Sequence, residues 1–361
     1  MNMTPDTARP VYIVAASVLN CSGSEASDLF AHAPEPQPLP FAPALQAHRL
    51  ASVRLPSDLF DRKIQRSVEP QGLRLLHCAA RLAPELRSMQ LPPERVALAA
   101  AIPEVDAPSP CWEAVEAIRE QPDNMLGQLL ANTPPLHALT LLNSSVMAYV
   151  AEALQCKGPM GGFCSHANAG LDALIDAALQ IAEHRADAAL VVSSSPNITP
   201  AVFLREENQP PVRTGADVRG EGAAALLLSA DPQAAPLTVR IAGFARGFGA
   251  CGELATEVVR RVLQQALYPE RLALSDIEWV RADGHDPVLA DLLKSPAGLH
   301  STKEITGDLG ASSLPTEIAH VMADARHGSP PRLRYVLLMS RTRLGHCGAL
   351  LLAILNNEGR T

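Results

Sequence analysis

Gly162-Phe163-Cys164-Ser165-His166-Ala167-Asn168-Ala169-Gly170 is the stretch of sequence that decides the fold. Its first residues predict a strand, the small residues around Ala167 predict a sharp turn, and residues 171–182 carry apolar side chains at helical period. A strand that turns directly into a helix is a building unit of α/β proteins. The sequence therefore predicts an α/β fold, with Ala167 at the turn between strand and helix.

Strand-like and helical segments alternate along the rest of the chain, as in other α/β proteins. The predicted strands cover residues 10–19, 96–102, 188–193, 223–228, 237–245, 277–282, 334–339 and 349–355. The predicted helices cover residues 73–86, 111–119, 138–154, 171–184, 253–267, 288–293 and 315–325. The proline-rich stretch 33–43 predicts irregular structure, and proline and alanine at 232–236 predict a joint between two halves, 1–235 and 236–361.

Composition argues against two classes of function. The chain has 361 residues, of which 47% are hydrophobic, so it can bury a large core. Its formal net charge of -8 argues against nucleic-acid binding, and an acidic protein partner would need a local basic patch. No apolar run approaches the ~20 residues that span a bilayer. The short apolar segment 10–19 predicts a first strand rather than a signal peptide.

The cysteines are scattered and form no Cys-x-x-Cys pair. There are seven of them, at Cys21, Cys78, Cys111, Cys156, Cys164, Cys251 and Cys347. This pattern predicts reduced thiols in a cytoplasmic protein rather than a disulfide framework or a zinc site.

Six segments in a fixed order carry a family resemblance. They are Lys157-Gly158-Pro159, residues 165–170 (SHANAG), 213–228 (RTGADVRGEGAAALLL), 279–285 (WVRADGH), 301–308 (STKEITGD) and 344–348 (LGHCG). In this order they resemble β-ketoacyl synthases of the thiolase superfamily, over most of the chain from about residue 130 onward. The resemblance implies a thiolase-like, five-layered αβαβα fold built from two related halves, of which the second is short.

The resemblance also implies that three catalytic positions have been replaced. Ala167 aligns with the nucleophilic cysteine, and Asp283 and Asp308 align with the two catalytic histidines. Decarboxylative condensation needs a thiolate to hold the acyl chain and two neutral imidazoles to stabilise an enolate. An alanine cannot form a thioester, and ionised aspartates repel the enolate. The resemblance therefore implies a chain without condensing activity.

Three charged residues match those of the family. Lys303 and Glu221 fall on the family's lysine and glutamate in the motifs above, and Glu317 falls near the acidic residue of the helix that follows. Carboxylates that are buried beside a lysine need to pair with its positive charge. We therefore predict that Lys303, Asp308, Asp283 and Glu317 form a buried ionic network in place of the catalytic groups.

Four further residues could line the same site, namely Cys164, His166, His285 and Leu344. Cys164 is predicted to be an inert, buried strand thiol, and His166 a side chain that packs or hydrogen-bonds. His285 is predicted to be a loop residue. Leu344 falls where the family has a Gly-Phe-Gly-Gly gate.

The family member that the chain resembles is a chain length factor, the inactive subunit that pairs with an active ketosynthase in type II polyketide or aryl polyene assembly. Its implied partners are that β-ketoacyl synthase, in a heterodimer, and an acyl carrier protein reached through the complex. No cofactor, metal or nucleic acid is implied. Residues 138–154 would belong to the interface and to the wall of the tunnel that holds the growing chain. The alternative is an acyl-thioester-processing enzyme that hydrolyses or transfers acyl groups with His166 or Asp308.

Two other motifs leave alternatives open. Residues 247–252 (GFGACG) form a Gly-x-Gly-x-x-Gly between a predicted strand and helix, the context of a dinucleotide-binding turn, although their mid-chain position favours a plain turn. His166, Asp283, His285 and Asp308 are residue types that bind zinc or iron, but no ligand spacing supports such a site. The sequence contains no Gly-x-Ser-x-Gly motif, which argues against an α/β-hydrolase.

Overall fold

The strands of the protein are defined by a computed structural model, which describes residues 8–30, 34–102, 112–133, 143–200, 202–203, 218–232, 237–249, 253–277, 279–282, 286–293, 299–327, 333–342 and 344–356. The strands in these ranges are β1 (Tyr12–Leu19), β2 (Gln37–Leu39), β3 (Ala42–His48), β4 (Val96–Ala101), β5 (Met160–Phe163), β6 (Ala188–Ser194), β7 (Arg219–Gly220), β8 (Ala223–Ser229), β9 (Leu237–Phe248), β10 (Trp279–Arg281), β11 (Leu333–Arg341) and β12 (His346–Asn356).

Helices alternate with these strands. They are α1 (Arg62–Ser67), α2 (Pro70–Arg81), α3 (Ala83–Ser88), α4 (Trp112–Glu120), α5 (Met125–Asn132), α6 (Asn143–Leu154), α7 (Ala169–Ala182), α8 (Glu253–Leu267), α9 (Pro287–Leu293), α10 (Lys303–Thr306) and α11 (Ser313–His327). Short 3-10 helices include His166–Asn168 and Gly310–Ser312. Within the described ranges, no helix has the length and apolar character needed to cross a membrane.

Nine of the described strands hydrogen-bond into one mixed sheet, in the order β10-β11-β12-β9-β1-β8-β6-β4-β5. In the N-terminal half β5, β4 and β6 are parallel, whereas β6, β8 and β1 are antiparallel. In the C-terminal half β9, β12 and β11 are antiparallel, and β10 runs parallel to β11. These two sets of strands join where Tyr12 and Ile13 of β1 pair with Arg240 and Val239 of β9.

The alternation of side chains along the strands separates a central core from two outer cores. Val191 and Leu350 face the central core around α7 and α11, which lie between the two halves of the sheet. Leu190 faces an outer core with α2 and α6, and Leu351 faces the other outer core with α8. The layers are therefore helix, sheet, helix, sheet and helix, which confirms the predicted thiolase-like αβαβα fold.

The prediction of irregular structure for residues 33–43 is wrong in the part that the structure describes. Strands β2 and β3 form a hairpin there, and β3 joins β7 in a second, three-stranded sheet. Proline is compatible with an edge strand such as β2, and the register shifts between Pro38 and Leu39. Of the predicted joint at 232–236, only Pro232 belongs to the described residues.

Candidate functional site

Ala167 lies in the 3-10 helix His166–Asn168, directly before α7. The turn is closed by the N–H of Asn168, which donates to the carbonyl oxygen of Ser165 at 3.1 Å. The Asn168 side chain is buried, and its Oδ1 accepts a hydrogen bond of 2.6 Å from the hydroxyl of Ser340 on β11. The turn is thus tied to the second half of the protein, and Ala167 is half-buried in it.

Gly170 allows this turn to approach the segment that carries Asp308. A Cβ atom at Gly170 would lie 2.2 Å from the carbonyl oxygen of Ala311, a distance that only glycine permits. The 3-10 helix His166–Asn168 therefore packs against the 3-10 helix Gly310–Ser312, which follows Asp308 in the chain.

Asp308 is surrounded by groups that stabilise its ionised form. Its Oδ2 lies 3.5 Å from Nζ of Lys303, and its Oδ1 accepts hydrogen bonds from the N–H of Gly310 (2.9 Å) and the hydroxyl of Ser313 (3.1 Å). Burial alone would raise the pKa of this carboxyl, but the charges of Lys303 and Arg219 and these two hydrogen bonds lower it to about 2. Asp308 is therefore ionised at neutral pH.

The main chain of Asp308 is bonded to strand β7. Its N–H donates to the carbonyl oxygen of Val218 at 2.8 Å, and its carbonyl oxygen accepts from the N–H of Gly220 at 3.0 Å. The residue before it, Gly307, has a φ of +71°, and a Cβ there would lie 2.6 Å from the same Val218 oxygen. This pairing brings Arg219 of β7 beside the carboxylate.

Glu317 of α11 is held by a different set of groups. Its Oε2 accepts hydrogen bonds from the N–H (2.7 Å) and the hydroxyl (2.9 Å) of Thr302, and its Oε1 lies 3.8 Å from Nε of Arg281. Burial raises the pKa of Glu317 despite the opposing effects of Thr302 and Arg281. Of the predicted network, the structure thus pairs Lys303 with Asp308, while Glu317 faces Thr302 and Arg281.

Glu221 is buried, and both of its carboxylate oxygens accept hydrogen bonds. They accept hydrogen bonds from the N–H of Leu50 (2.9 Å) and of Ile198 (3.1 Å). Nη1 of Arg74 on α2 lies 3.5 Å from Oε1 of Glu221, and Nη2 of Arg74 donates to Oδ1 of Asn197 at 3.0 Å. Sequence analysis missed Arg74, although a charged side chain flanked by leucines in an amphipathic helix is a signal of a buried ion pair.

The prediction that Cys164 is buried is wrong. Strand β5 ends at Phe163, so the next residue lies beyond the sheet and its thiol is exposed. Beside it, the hydroxyl of Ser165 donates to the carboxylate of Asp172 on α7, whose other oxygen is 3.1 Å from Nη1 of Arg246. An exposed thiol and an ion-paired carboxylate therefore flank the turn before α7.

Leu344 lies in the turn between β11 and β12 and is 37% exposed. The following Gly345 has a φ of +93°, and its carbonyl oxygen accepts from the N–H of Gly249 at 2.9 Å. The rings of Phe248 and His346 are 5.0 Å apart on the same rim. Leu344 is thus a surface residue of the turn for which the sequence analysis predicted a gate position.

The Gly-x-Gly-x-x-Gly motif does not begin in a turn. Strand β9 extends to Phe248, three residues beyond its predicted end, and Gly247 pairs with Cys347 of β12. A dinucleotide-binding motif needs its first glycine in the tight turn after the strand, so this geometry disfavours nucleotide binding at residues 247–252. Residues 250–252 lie outside the described ranges.

Asp283 and His285 also lie outside the described residues, as does the side chain of His166. Among the side chains that are described, no group of three or more His, Cys, Asp and Glu could hold a metal ion. The roles assigned to these three residues from the sequence stay predictions.

No family model and no curated protein matches the sequence. Solved structures do match it. The ishigamide ketosynthase/chain length factor has 16% identity and a TM-score of 0.74, over 95% of this chain and 99% of its own. The ketosynthase ApeO in complex with its chain length factor ApeC, from Xenorhabdus doucetiae, has 15% identity and a TM-score of 0.68, over 98% and 100%.

A third match is AntDE:AntF, a type II polyketide synthase acyl-carrier protein in complex with its ketosynthase, with 13% identity and a TM-score of 0.72 over 96% and 99%. The protein therefore has the fold of the ketosynthases and chain length factors. The resemblance recognised in the ordered motifs is confirmed at the level of the fold.

Proposed function

We propose that this chain is a chain length factor, a non-condensing subunit that pairs with an active β-ketoacyl synthase and helps to shape the tunnel for the growing acyl or polyene chain. The observation that carries the proposal is the ionised Asp308 beside Lys303, close to a turn that has Ala167 where condensation needs a thiol. A carboxylate repels an enolate, and a methyl group cannot hold an acyl chain. The acyl carrier protein would deliver its substrate to the complex.

An exposed strand edge supports the pairing with a second subunit. Strand β5 pairs with β4 and is the last strand of the large sheet. Met160 of β5 is 49% exposed, and Gly162 is exposed as well. Unpaired N–H and C=O groups along such an edge are a template for a strand of another chain. We expect the ketosynthase to pair here.

Helix α6 lies beside this edge. It packs against α2 and β5, and Sδ of Met147 is 3.2 Å from the position of a Cβ atom on Gly162. It is the described part of the segment 138–154, which the resemblance assigns to the interface and the tunnel wall. A partner paired with β5 would therefore also meet α6.

The test is co-purification of the full-length, affinity-tagged chain from its native host, with mass spectrometry of the bound proteins and co-expression of any ketosynthase found. A 1:1 complex with a ketosynthase, and aggregation of the chain expressed alone, are the expected results. A stable monomer or homodimer that binds no ketosynthase contradicts the proposal. Turnover of acyl thioesters by the isolated chain would instead support the alternative enzyme.

Matched variants locate the interface. Met160→Lys combined with Gly162→Lys should abolish the complex, because two charges would be buried at the strand edge. Leu126→Lys on α5 is the control, since Leu126 is 67% exposed on another element. Loss of the ketosynthase from the control as well would refute the assignment to β5.

A further inference from the structure

Helix α2 buries two polar side chains whose hydrogen-bonding atoms are not all used. Gln71 and Arg74 are three residues apart, a spacing that places helical side chains side by side, and they are only 2% and 3% exposed. Among the residues that the structure describes, Oε1 of Gln71 and Nε of Arg74 have no hydrogen-bond partner. Buried polar groups in folded proteins nearly always have one, from the protein or from ordered water. These two atoms therefore point to a bound group.

Asn197, in the segment after β6, brings a third such atom to Arg74. Its Oδ1 accepts the hydrogen bond from Nη2 of Arg74, which fixes the orientation of the amide, because the amide nitrogen can only donate. Nδ2 of the same buried amide has no partner among the described residues. Nε and Nη2 share one edge of the planar guanidinium, so Nε of Arg74 points to the side on which Asn197 lies. Two unpartnered N–H donors thus face the same side of Arg74.

The hydroxyl of Ser194 is a fourth buried atom without a partner in the described part of the chain. Side chains alternate along β6, so Ser194 faces the same side as Leu190 and Val192, which pack in the outer core with α2. The carbonyl oxygen of the next residue, Ser195, lies 3.5 Å from Nη2 of Arg74. The Ser194 hydroxyl therefore lies on the face of the sheet that α2 covers, next to a residue that contacts Arg74.

The charges and the hydrogen-bonding atoms decide what can bind between these side chains. The positive charge of Arg74 is already paired with Glu221 at 3.5 Å, so an ion of either sign would add an uncompensated buried charge. An apolar molecule would leave two N–H donors, an amide oxygen and a hydroxyl unsatisfied. A small neutral molecule that both accepts and donates hydrogen bonds fits this set, and water is the smallest.

We infer that these four side chains form a buried binding site for an ordered water molecule, which we call the hydration site (Gln71, Arg74, Ser194 and Asn197). The water accepts hydrogen bonds from Nε of Arg74 and Nδ2 of Asn197. It donates hydrogen bonds to Oε1 of Gln71 and Oγ of Ser194. Buried waters in proteins typically make about three such bonds. The water thereby joins α2 to the end of β6 and to the segment that follows.

The hydration site is connected through the main chain to the surroundings of Asp308. The segment after β6 leads to Phe203, whose ring centre lies 5.7 Å from the guanidinium of Arg219. Arg219 is one of the charges that lower the pKa of Asp308, and Glu221, the ion-pair partner of Arg74, follows it by two residues. We expect the water to stabilise the chain segments that carry Phe203 and Arg219.

The first experiment is a crystal structure of the full-length chain, alone or in the complex in which it is purified, at a resolution that shows ordered water. We expect one solvent peak at about 2.7–3.2 Å from both Nε of Arg74 and Nδ2 of Asn197, and at a similar distance from Oε1 of Gln71 or Oγ of Ser194. A second crystal is soaked in bromide, which scatters anomalously, and should show no anomalous peak there. An anomalous peak at this position, or no density between the four side chains, overturns the inference. The result does not depend on whether a ketosynthase is the partner.

The second experiment uses the sign of a stability change. Gln71→Met removes the acceptor Oε1 and nearly keeps the size of the side chain. If a water donates to this oxygen, the variant loses a hydrogen bond and the melting temperature falls by roughly 2 °C. If the oxygen has no partner, its removal leaves the melting temperature unchanged or raises it, which overturns the inference.

The matched control is Gln264→Met, which makes the same change on α8 at an exposed position and should leave the melting temperature unchanged. Should Gln71→Met fail to fold, Ser194→Ala gives the same test, because it removes only a hydroxyl group. A lower melting temperature is again expected with a bound water, and an unchanged or higher one contradicts it.

Discussion

Nζ of Lys303 and Oδ2 of Asp308 lie 3.5 Å apart, so the lysine that the ordered motifs retain is the counter-ion of the residue aligned with a catalytic histidine. The pair lies at the end of β7 and close to the turn that contains Ala167. Both charged groups remain partly exposed, at 25% and 39% of their side chains. The pair therefore stabilises the protein modestly, but it gives this part of the site a permanent anion.

Asp308→Asn should remove a stability contribution that depends on pH. The folded-state pKa of about 2 lies below the ordinary value, so the contribution is complete above about pH 4 and is lost as the pH falls towards 2. Because the pair is partly exposed, we expect a loss of only ~1 kcal/mol at pH 7. Urea denaturation at pH 7 and between pH 4 and 2 measures it, with the exposed Asp58→Asn as control. If the free energies of unfolding of wild type and Asp308→Asn changed in parallel with pH, the lowered pKa of Asp308 would be contradicted.

Glu317→Gln should show the opposite pH dependence. Burial raises the pKa of Glu317 in the folded state, so the stability that its protonated form contributes is present below the unfolded pKa and is lost as the pH rises through the folded pKa. The stability advantage of wild type over Glu317→Gln should therefore be larger near pH 4 than at pH 7. Chemical denaturation at both pH values tests this, with Glu304→Gln, exposed on α10, as control. If wild type and Glu317→Gln differed in stability by the same amount at both pH values, the raised pKa of Glu317 would be contradicted.

The layers of the fold were predictable because buried strands and amphipathic helices carry strong local patterns. The apolar run predicted as a strand at 96–102 forms β4 (Val96–Ala101), and the amphipathic run predicted as a helix at 253–267 forms α8 (Glu253–Leu267). The continuous apolar run of β4 fits a strand covered on both faces, and the helical period of α8 fits a helix that covers one face of the sheet.

Features at the sheet edges and the partners of residues in distant segments were not predictable. The hairpin of β2 and β3 was hidden by prolines, which an edge strand accepts because it needs fewer N–H donors. Cys164 was predicted to lie on a strand, but β5 ends at Phe163, which leaves the thiol exposed. Arg74 meets Glu221 across 147 positions of sequence, so the leucines beside Arg74 mark a buried charge but no local pattern identifies its partner.

Arg74→Met should be strongly destabilising, because it leaves Glu221 buried without its counter-ion. Removal of one partner of a buried pair costs ~3–5 kcal/mol. Glu221→Gln should be destabilising for the same reason, and the double variant should lose less than the sum of the two single losses. Urea denaturation of the four proteins gives this coupling energy. Strict additivity would show that the 3.5 Å contact contributes nothing to stability.

Gly170→Ala should destabilise the protein and Gly127→Ala should not, although both glycines are helical. A Cβ at 170 would overlap the carbonyl oxygen of Ala311 at 2.2 Å, which only a shift of the backbone relieves. A Cβ at 127 meets the flexible side chain of Asn124, and alanine favours a helix over glycine by ~1 kcal/mol. We expect the first variant to lower the melting temperature by several degrees and the second to leave it unchanged or raise it. Equal melting temperatures would contradict the close packing of α7 on Gly310–Ser312.

Ala167→Cys should restore a reactive thiol without restoring condensation. The variant is made in a Cys164→Ser background, because the exposed Cys164 would otherwise react with the same reagents. A thiol directly before a helix is favoured as the thiolate, so alkylation by iodoacetamide at position 167 is expected and is mapped by mass spectrometry. Condensation of malonyl-carrier protein should stay at background, because the ionised Asp308 still opposes the enolate. The Cys164→Ser parent controls for labelling, and product formation by the Ala167→Cys chain alone would contradict the prediction that the Asp308 carboxylate prevents condensation.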